Sequence, residues 1–189
     1  MKKKRTKTGR HLCLILLLAL ALPAMKSEAQ VLGVKTNALA WGAWGSFNLG
    51  AEVGFAKQWT FGVDAIYNPY AWKDEKKTHV WGIQPEVRFW PRYKFAGHFI
   101  GLHGHYAQYD WGVKKYIYKG DLFGGGISYG YAWMICERWN IEATAGFGYT
   151  KLDHDSKYVR GDKTNHVPFS SENKWGLTRA GISITYIIK

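Results

Sequence analysis

From residue 30 onward the chain divides into eight segments that alternate apolar and polar side chains, joined by connections that run short, long, short, long. Each segment is about 10 to 14 residues, the length a tilted strand needs to cross a bilayer. Hydrocarbon offers no water to a free backbone N–H or C=O, so only helices and closed barrels cross it. No segment after residue 29 has the run of about 20 apolar residues that a spanning helix requires. The pattern therefore predicts an all-β fold, an eight-stranded antiparallel up-and-down transmembrane β-barrel.

The strands are expected at 31–41, 46–56, 59–70, 79–90, 98–109, 122–133, 140–150 and 175–188. The second shows the alternation plainly: Phe47, Leu49, Ala51, Val53 and Phe55 share one face, and Asn48, Gly50, Glu52, Gly54 and Ala56 the other. Pro85 falls among the apolar positions of the fourth strand and predicts a bulge, because proline removes a ladder donor. Lys57-Gln58, Pro91 to Gly97 and Met134 to Trp139 read as short turns. Ala71 to Thr78, Asp110 to Asp121 and Lys151 to Lys174 read as longer, charged outer loops, after a short first outer connection at Gly42 to Gly45. Aromatic residues gather near strand ends. Trp41, Trp44, Tyr70, Trp72, Tyr109, Trp111 and Trp175 are assigned to an outer girdle, and Trp59, Trp90, Tyr93, Trp133 and Trp139 to an inner one.

The first 29 residues read as a secretory signal peptide, leaving 30–189 as one barrel domain. Lys2, Lys3, Lys4, Arg5, Lys7 and Arg10 precede the apolar run Leu12 to Ala24, and Ser27-Glu28-Ala29 supplies a cleavage site before Gln30. This places the protein in the outer membrane, secreted through the inner membrane. Cys13 lies in that run, so Cys136 alone remains after processing and reads as a turn residue. Seven of the 26 Lys and Arg and one of the 14 acids also fall there, so the net charge of +12 drops to +6 for the barrel. That excess suits anionic lipid headgroups and lipopolysaccharide and, being scattered, does not indicate nucleic acid.

Charge placement separates a membrane barrel from a soluble one. Only Lys35, Glu52, Asp64, Glu86, Arg88, Glu142 and Arg179 fall within the expected strands, whose polar face is otherwise mostly Gly, Asn, Ser and Thr. A soluble, lipocalin-like barrel would cover its outside with Lys and Glu. The seven charges therefore read as a lumen network in which three cations balance four acids, since an unpaired buried charge is costly. The competing reading makes Glu52, Glu86 and Glu142 catalytic acids and bases.

His103 and His105 lie two apart on one strand face and join the expected lumen network; as a metal site they lack a third ligand. Gly124-Gly125-Gly126 is no phosphate loop, because no Lys-Ser/Thr or helix follows, and its glycines make room for bulky lumen side chains. Ser46, Ser128, Ser170 and Ser171 show no telling spacing to a histidine, so a hydrolase is unsupported. Trp72, Trp111, His154 and Arg160 are the candidates for binding through the outer loops.

The ordered set Lys35-Thr36-Asn37-Ala38-Leu39, Asn48-Leu49-Gly50-Ala51-Glu52, Tyr67-Asn68-Pro69, Gln84-Pro85-Glu86-Val87-Arg88-Phe89-Trp90, Gly97-His98-Phe99-Ile100-Gly101-Leu102-His103, Gly126-Ile127-Ser128-Tyr129-Gly130-Tyr131 and Ala180-Gly181-Ile182-Ser183 resembles a domain-of-unknown-function family of Bacteroidetes outer-membrane proteins. The resemblance implies a small OmpA/OmpX-like barrel without a peptidoglycan-binding domain, associated with fimbrial or surface-structure gene clusters. It implies no catalytic residues. The expectation is a monomeric, non-enzymatic outer-membrane protein without cofactor or metal. It would act as a structural or surface-assembly accessory through its outer loops, with membrane lipid, lipopolysaccharide and fimbrial or other surface components as partners. The alternatives are a small outer-membrane hydrolase of lipid or peptide, using His103, His105 and a carboxylate, and a soluble periplasmic binding barrel.

Overall fold

The computed structural model describes residues 31–68, 71–72, 76–113, 116–159, 162–167 and 170–188. The expected signal peptide, Tyr70 and Arg160 lie outside the described residues. The strands are β1 Leu32–Asn37, β2 Phe47–Ala56, β3 Trp59–Asn68, β4 Ala71–Trp72, β5 Lys76–Phe89, β6 Gly97–Val113, β7 Tyr116–Cys136, β8 Trp139–Val159, β9 Asp162–Val167 and β10 Ser170–Ile188, with one helix, α1, at Ala38–Trp44. Eight of the strands form the barrel in the order β1-β2-β3-β5-β6-β7-β8-β10. All neighbours are antiparallel, and β10 closes onto β1 through Leu32↔Ile188 to Asn37↔Ser183. Strands β4 and β9 are short additions to the start of β5 and the end of β8.

The register fixes the barrel's shape. From Ile187 it passes through Gly33, Glu52, Gly62, Glu86, His103, Gly126 and Gly148 and returns to β10 at Gly176. The return is displaced by eleven residues, one of them the bulge between Leu177 and Arg179. A stagger of about ten over eight strands inclines them by about 40° to the axis and leaves an interior only wide enough for side chains. Trp139 packs on Tyr186 at 5.0 Å and, ten residues up β8, Tyr149 packs on Trp175 at 5.5 Å. At that tilt the two aromatic pairs stand about 25 Å apart, the height of a barrel's apolar band. Between them Leu49, Leu102, Ile127, Phe147, Leu177 and Ile182 point outward and are at least half exposed.

Three expectations about the strands give way to the structure. The first strand stops at Asn37 instead of reaching Trp41, and Ala38–Trp44 is helical. Asn37 caps that helix, its side-chain oxygen accepting from the N–H groups of Leu39 (3.0 Å) and Ala40 (3.4 Å), and Gly45 ends it at φ 57°, where glycine has no Cβ to clash. Second, Pro85 makes no bulge. It stays paired with Val63, and the β5–β6 register runs unchanged from Ile83↔Tyr106 to Glu86↔His103. Third, the segments expected as long loops mostly continue the sheet. The β6–β7 ladder extends through Asp110↔Lys119 to Val113↔Tyr116, and β8 runs on to Val159. Tyr116-Ile117-Tyr118 and Trp111-Gly112-Val113 are rich in aromatic and β-branched residues, which suit a strand better than a loop.

Two asparagines complete the wall where β1 stops. The Asn48 side chain accepts from the Asn37 N–H at 2.5 Å and donates to the Asn37 carbonyl at 2.9 Å. On the other side the Asn37 amide donates to the Ala180 carbonyl and accepts from the Ile182 N–H, both at 3.3 Å. At the opposite end the turn 91–97 folds under the barrel, with Phe95 at φ 63°. The buried rings of Trp90, Phe95 and Phe99 close that end, Trp90 lying 4.7 Å from Phe99 and 6.1 Å from Phe95. Trp90 is therefore a lumen residue and not the girdle residue expected. Its indole N–H donates to Thr60 Oγ1 at 2.9 Å.

Replacing Asn37 by alanine removes a helix cap and both bonds to β10. We expect a stability loss of about 1–2 kcal/mol, read as a lower urea midpoint at unchanged slope for the protein folded in detergent.

Candidate functional site

The lumen face carries the charges, and the register decides which of them meet. Glu52 pairs across β2–β3 with Gly62, which pairs across β3–β5 with Glu86. Bulky charged side chains thus alternate with glycines and have room to lean over them. Arg88, wholly buried on β5, reaches three carboxylates. Its Nη1 and Nη2 hold the two oxygens of Glu142 at 2.8 and 2.9 Å, Nη1 also meets Glu52 at 2.9 Å, and Nε meets Glu86 at 2.5 Å. This uses the planar fork of the guanidinium, which a lysine cannot reproduce. The guanidinium carbon lies 4.3 Å from the centre of the Phe99 ring, so the charge rests on the aromatic plug.

The remaining charges close a ring. Lys35 bridges Glu52 at 3.1 Å and Asp64 at 3.5 Å, and Arg179 bridges Asp64 at 2.5 Å and Glu86 at 3.5 Å. The circuit Arg179–Asp64–Lys35–Glu52–Arg88–Glu86 alternates in sign throughout, with Glu142 attached to Arg88. Hydroxyls supply further bonds to the carboxylates. Thr60 donates to Glu52 at 2.6 Å, Thr144 to Glu142 at 2.7 Å, and Ser128 to Glu86. The carboxylates once weighed as catalytic acids and bases are each held by a cation and a hydroxyl, and Ser128 is a donor to Glu86.

Arg179 reaches the ring because of a bulge. Trp175 and Leu177 face outward, and strict alternation would turn residue 179 outward with them. The extra residue, Thr178, reverses the parity, so Arg179 faces the lumen while Ala180, Ile182 and Ile184 face out. Thr178 Oγ1 lies 2.8 Å from His103 Nε2, and Thr150 Oγ1 lies 2.9 Å from His105 Nε2. Both imidazoles extend across the glycines of β7. A Cβ on Gly124 would meet His105 Nε2 at 2.8 Å, and one on Gly126 would meet Thr178 Oγ1 at 2.8 Å. The rings stand 6.1 Å apart, centre to centre. Among the described residues no cluster of three or more His, Cys, Asp or Glu forms a metal site.

Above the ring lies a cavity of about 270 Å³, lined by Asn37, Asn48, Gln84, His105, Thr178 and Ser183, with α1 contributing Ala40. The outer-loop candidates fall on the strand extensions: Trp72 in β4, Trp111 near the end of β6 and His154 in β8. Cys136 ends β7 at the rim closed by the aromatic plug and is exposed.

Sequence reasoning passed over the hydroxyls of Thr60, Ser128 and Thr144, the two asparagines and the aromatic plug. Trp90 was the legible one, since it shares the parity of Glu86 and Arg88.

The family model for DUF3575, described as a protein of unknown function, matches residues 13–188. No curated protein matches the chain.

Arg88→Met leaves three buried carboxylates without their shared cation and should cost about 3–5 kcal/mol. Arg88→Lys keeps the charge but loses the fork and should fall between this variant and the wild type, both being compared by urea midpoint. Gly101→Val puts a side chain into the Ser128 hydroxyl and the Glu86 carboxylate. It should yield no compact form on an unboiled gel.

Proposed function

We propose, for a chain that belongs to the DUF3575 family of proteins of unknown function, that it is an integral outer-membrane β-barrel, non-enzymatic, which serves as a surface-assembly or structural accessory through its outer hairpins. The observation that carries this reading is the inversion of the barrel. Its outside is a continuous apolar band between two aromatic levels, and its inside is ionic. Exposed apolar patches on soluble monomers rarely exceed a few hundred Å², whereas lipid is the natural solvent for a closed apolar belt. Among the described residues no helix is long and apolar enough to cross a membrane, and a barrel crosses with strands.

The lumen is filled at one end by aromatic rings and in the middle by the ionic ring, so it supports no open channel of the porin kind. The outward extensions of β6, β7 and β8 are the surface that reaches furthest from the band, and they hold Trp111 and His154. We assign contact with lipopolysaccharide and with fimbrial or other surface components to these extensions, in keeping with the family resemblance.

Fractionation followed by gels of boiled and unboiled protein tests the reading. We expect outer-membrane partition and a mobility shift on boiling, because the closed ladder resists detergent until heated. A soluble periplasmic protein without a shift would overturn it and make the interior a ligand pocket. Removing residues 112–117 from the β6–β7 hairpin should abolish any surface-assembly phenotype and keep the shift; an unchanged phenotype would refute the role of that hairpin.

A further inference from the structure

The barrel wall is uneven. Strand β1 ends at Asn37 and its last partner on β10 is Ser183, yet β10 continues upward to Ser170. From Lys174 to Ile182 the edge of β10 turned towards β1 has no strand beside it among the described residues; the other edge is paired with β8. The register and tilt place this gap in the outer half of the apolar band, since Trp175 belongs to the upper aromatic pair. A free sheet edge at hydrocarbon depth is not tolerated unless something covers it. What covers it here is α1, which packs on β10 and is tied to it by the two 3.3 Å bonds of the Asn37 amide.

Directly behind α1 is the 270 Å³ cavity, which Ala40 of the helix and Thr178, Gly181 and Ser183 of β10 line together. On the outside the same seam is flanked by Leu39, Trp41, Leu177 and Ile182, all exposed. The seam thus joins an apolar exterior, across one short helix, to a chamber that carries amides and hydroxyls among apolar side chains.

We infer that this seam is a lateral portal, and that the chamber takes the small uncharged polar head of a single-chain amphiphile whose tail lies outside along Leu177 and Ile182. The inference rests on the membrane reading above. Three features select the ligand class. The nearby charges of Lys35, Asp64 and Arg179 are compensated within the ring, so a charged head would be buried without a partner. Beyond those charges the polar lining is amides, hydroxyls and His105, which donate and accept, set among apolar side chains such as Ile66 and Leu122. At about 270 Å³ the cavity falls just below the usual range of ligand pockets, about 300–1,000 Å³, which favours a small head.

The test is native mass spectrometry of the folded full barrel in detergent, with a long-chain monoacylglycerol as probe and a fatty acid of equal chain length as the charged comparison. We expect one monoacylglycerol retained per barrel and the fatty acid released. Ala40→Phe fills the chamber from the helix and should reduce retention at least about tenfold, a loss of about 1.4 kcal/mol in binding. Ser183→Leu fills it from β10 and serves if the first variant fails to fold, folding being judged by unboiled mobility. A wild-type barrel that shifts on boiling but retains no monoacylglycerol, prefers the fatty acid, or loses nothing on either substitution would overturn the portal and leave the membrane reading standing. A protein without the shift fails on the membrane reading itself.

Discussion

Arg88 is the point on which the interior depends. Removing a guanidinium from water costs several kcal/mol, which only close and well-directed partners offset. Glu52, Glu86 and Glu142 supply them from β2, β5 and β8, strands that lie on different sides of the lumen. Their carboxylates are expensive to bury in turn, which explains Lys35, Arg179 and the three hydroxyls around them. Each member makes the next tolerable, and all must be present together. The closed register brings them to one level, and the narrow bore set by eight strands brings them within reach. Ionic lumen and covalent topology therefore specify each other, because a one-residue slip of any strand would turn its charge to the outside.

This dependence explains what could be read from the sequence. Strand number, order and faces follow from alternation, and alternation is strong wherever one face is lipid-like and the other packed. Glu52, Glu86, Arg88 and Glu142 share a parity with the glycines around them, which places them on the inner face before any contact is known. The pairings could not be read that way. That Arg88 holds three acids depends on the stagger around the barrel, a sum over every turn and bulge in the chain. Arg179 shows the limit most clearly: alternation with Gly181 and Ser183 places it in the lumen network as expected, alternation with Trp175 and Leu177 would turn it outward, and the bulge at Thr178 that reconciles the two was not legible.

The misjudged segments share a cause. Ala38–Trp41 was assigned by continuing the first strand and 110–121 from connection length and charge, and neither describes the local competition. At Asn37 the side chain offers the N–H groups of Leu39 and Ala40 a bond that β1 cannot, and the chain turns into a helix. At 110–121 an acidic position falls opposite a basic one with aromatic and β-branched residues beyond it, and the ladder carries on. Pro85 errs the other way. Its missing donor falls where the β5–β6 ladder skips two pairs, so the register absorbs the loss without a bulge.

The distribution of rigidity bears on where this barrel can act. Its lower half is closed by Trp90, Phe95 and Phe99, and its middle is locked by bidentate and bridging ion pairs, so neither can rearrange without exposing charge or opening a void. The upper half is different. There the seam between β1 and β10 is held by side-chain amides instead of a strand ladder, and the lumen widens into a chamber that carries amides and hydroxyls. A structure that invests so many buried charges below, and leaves a seam sewn by Asn37 and Asn48 above, concentrates its adaptable contacts at the outer rim. On the membrane reading that rim faces the cell surface, and the asymmetry between locked base and amide-sewn seam is the physical reason to look there for the partner.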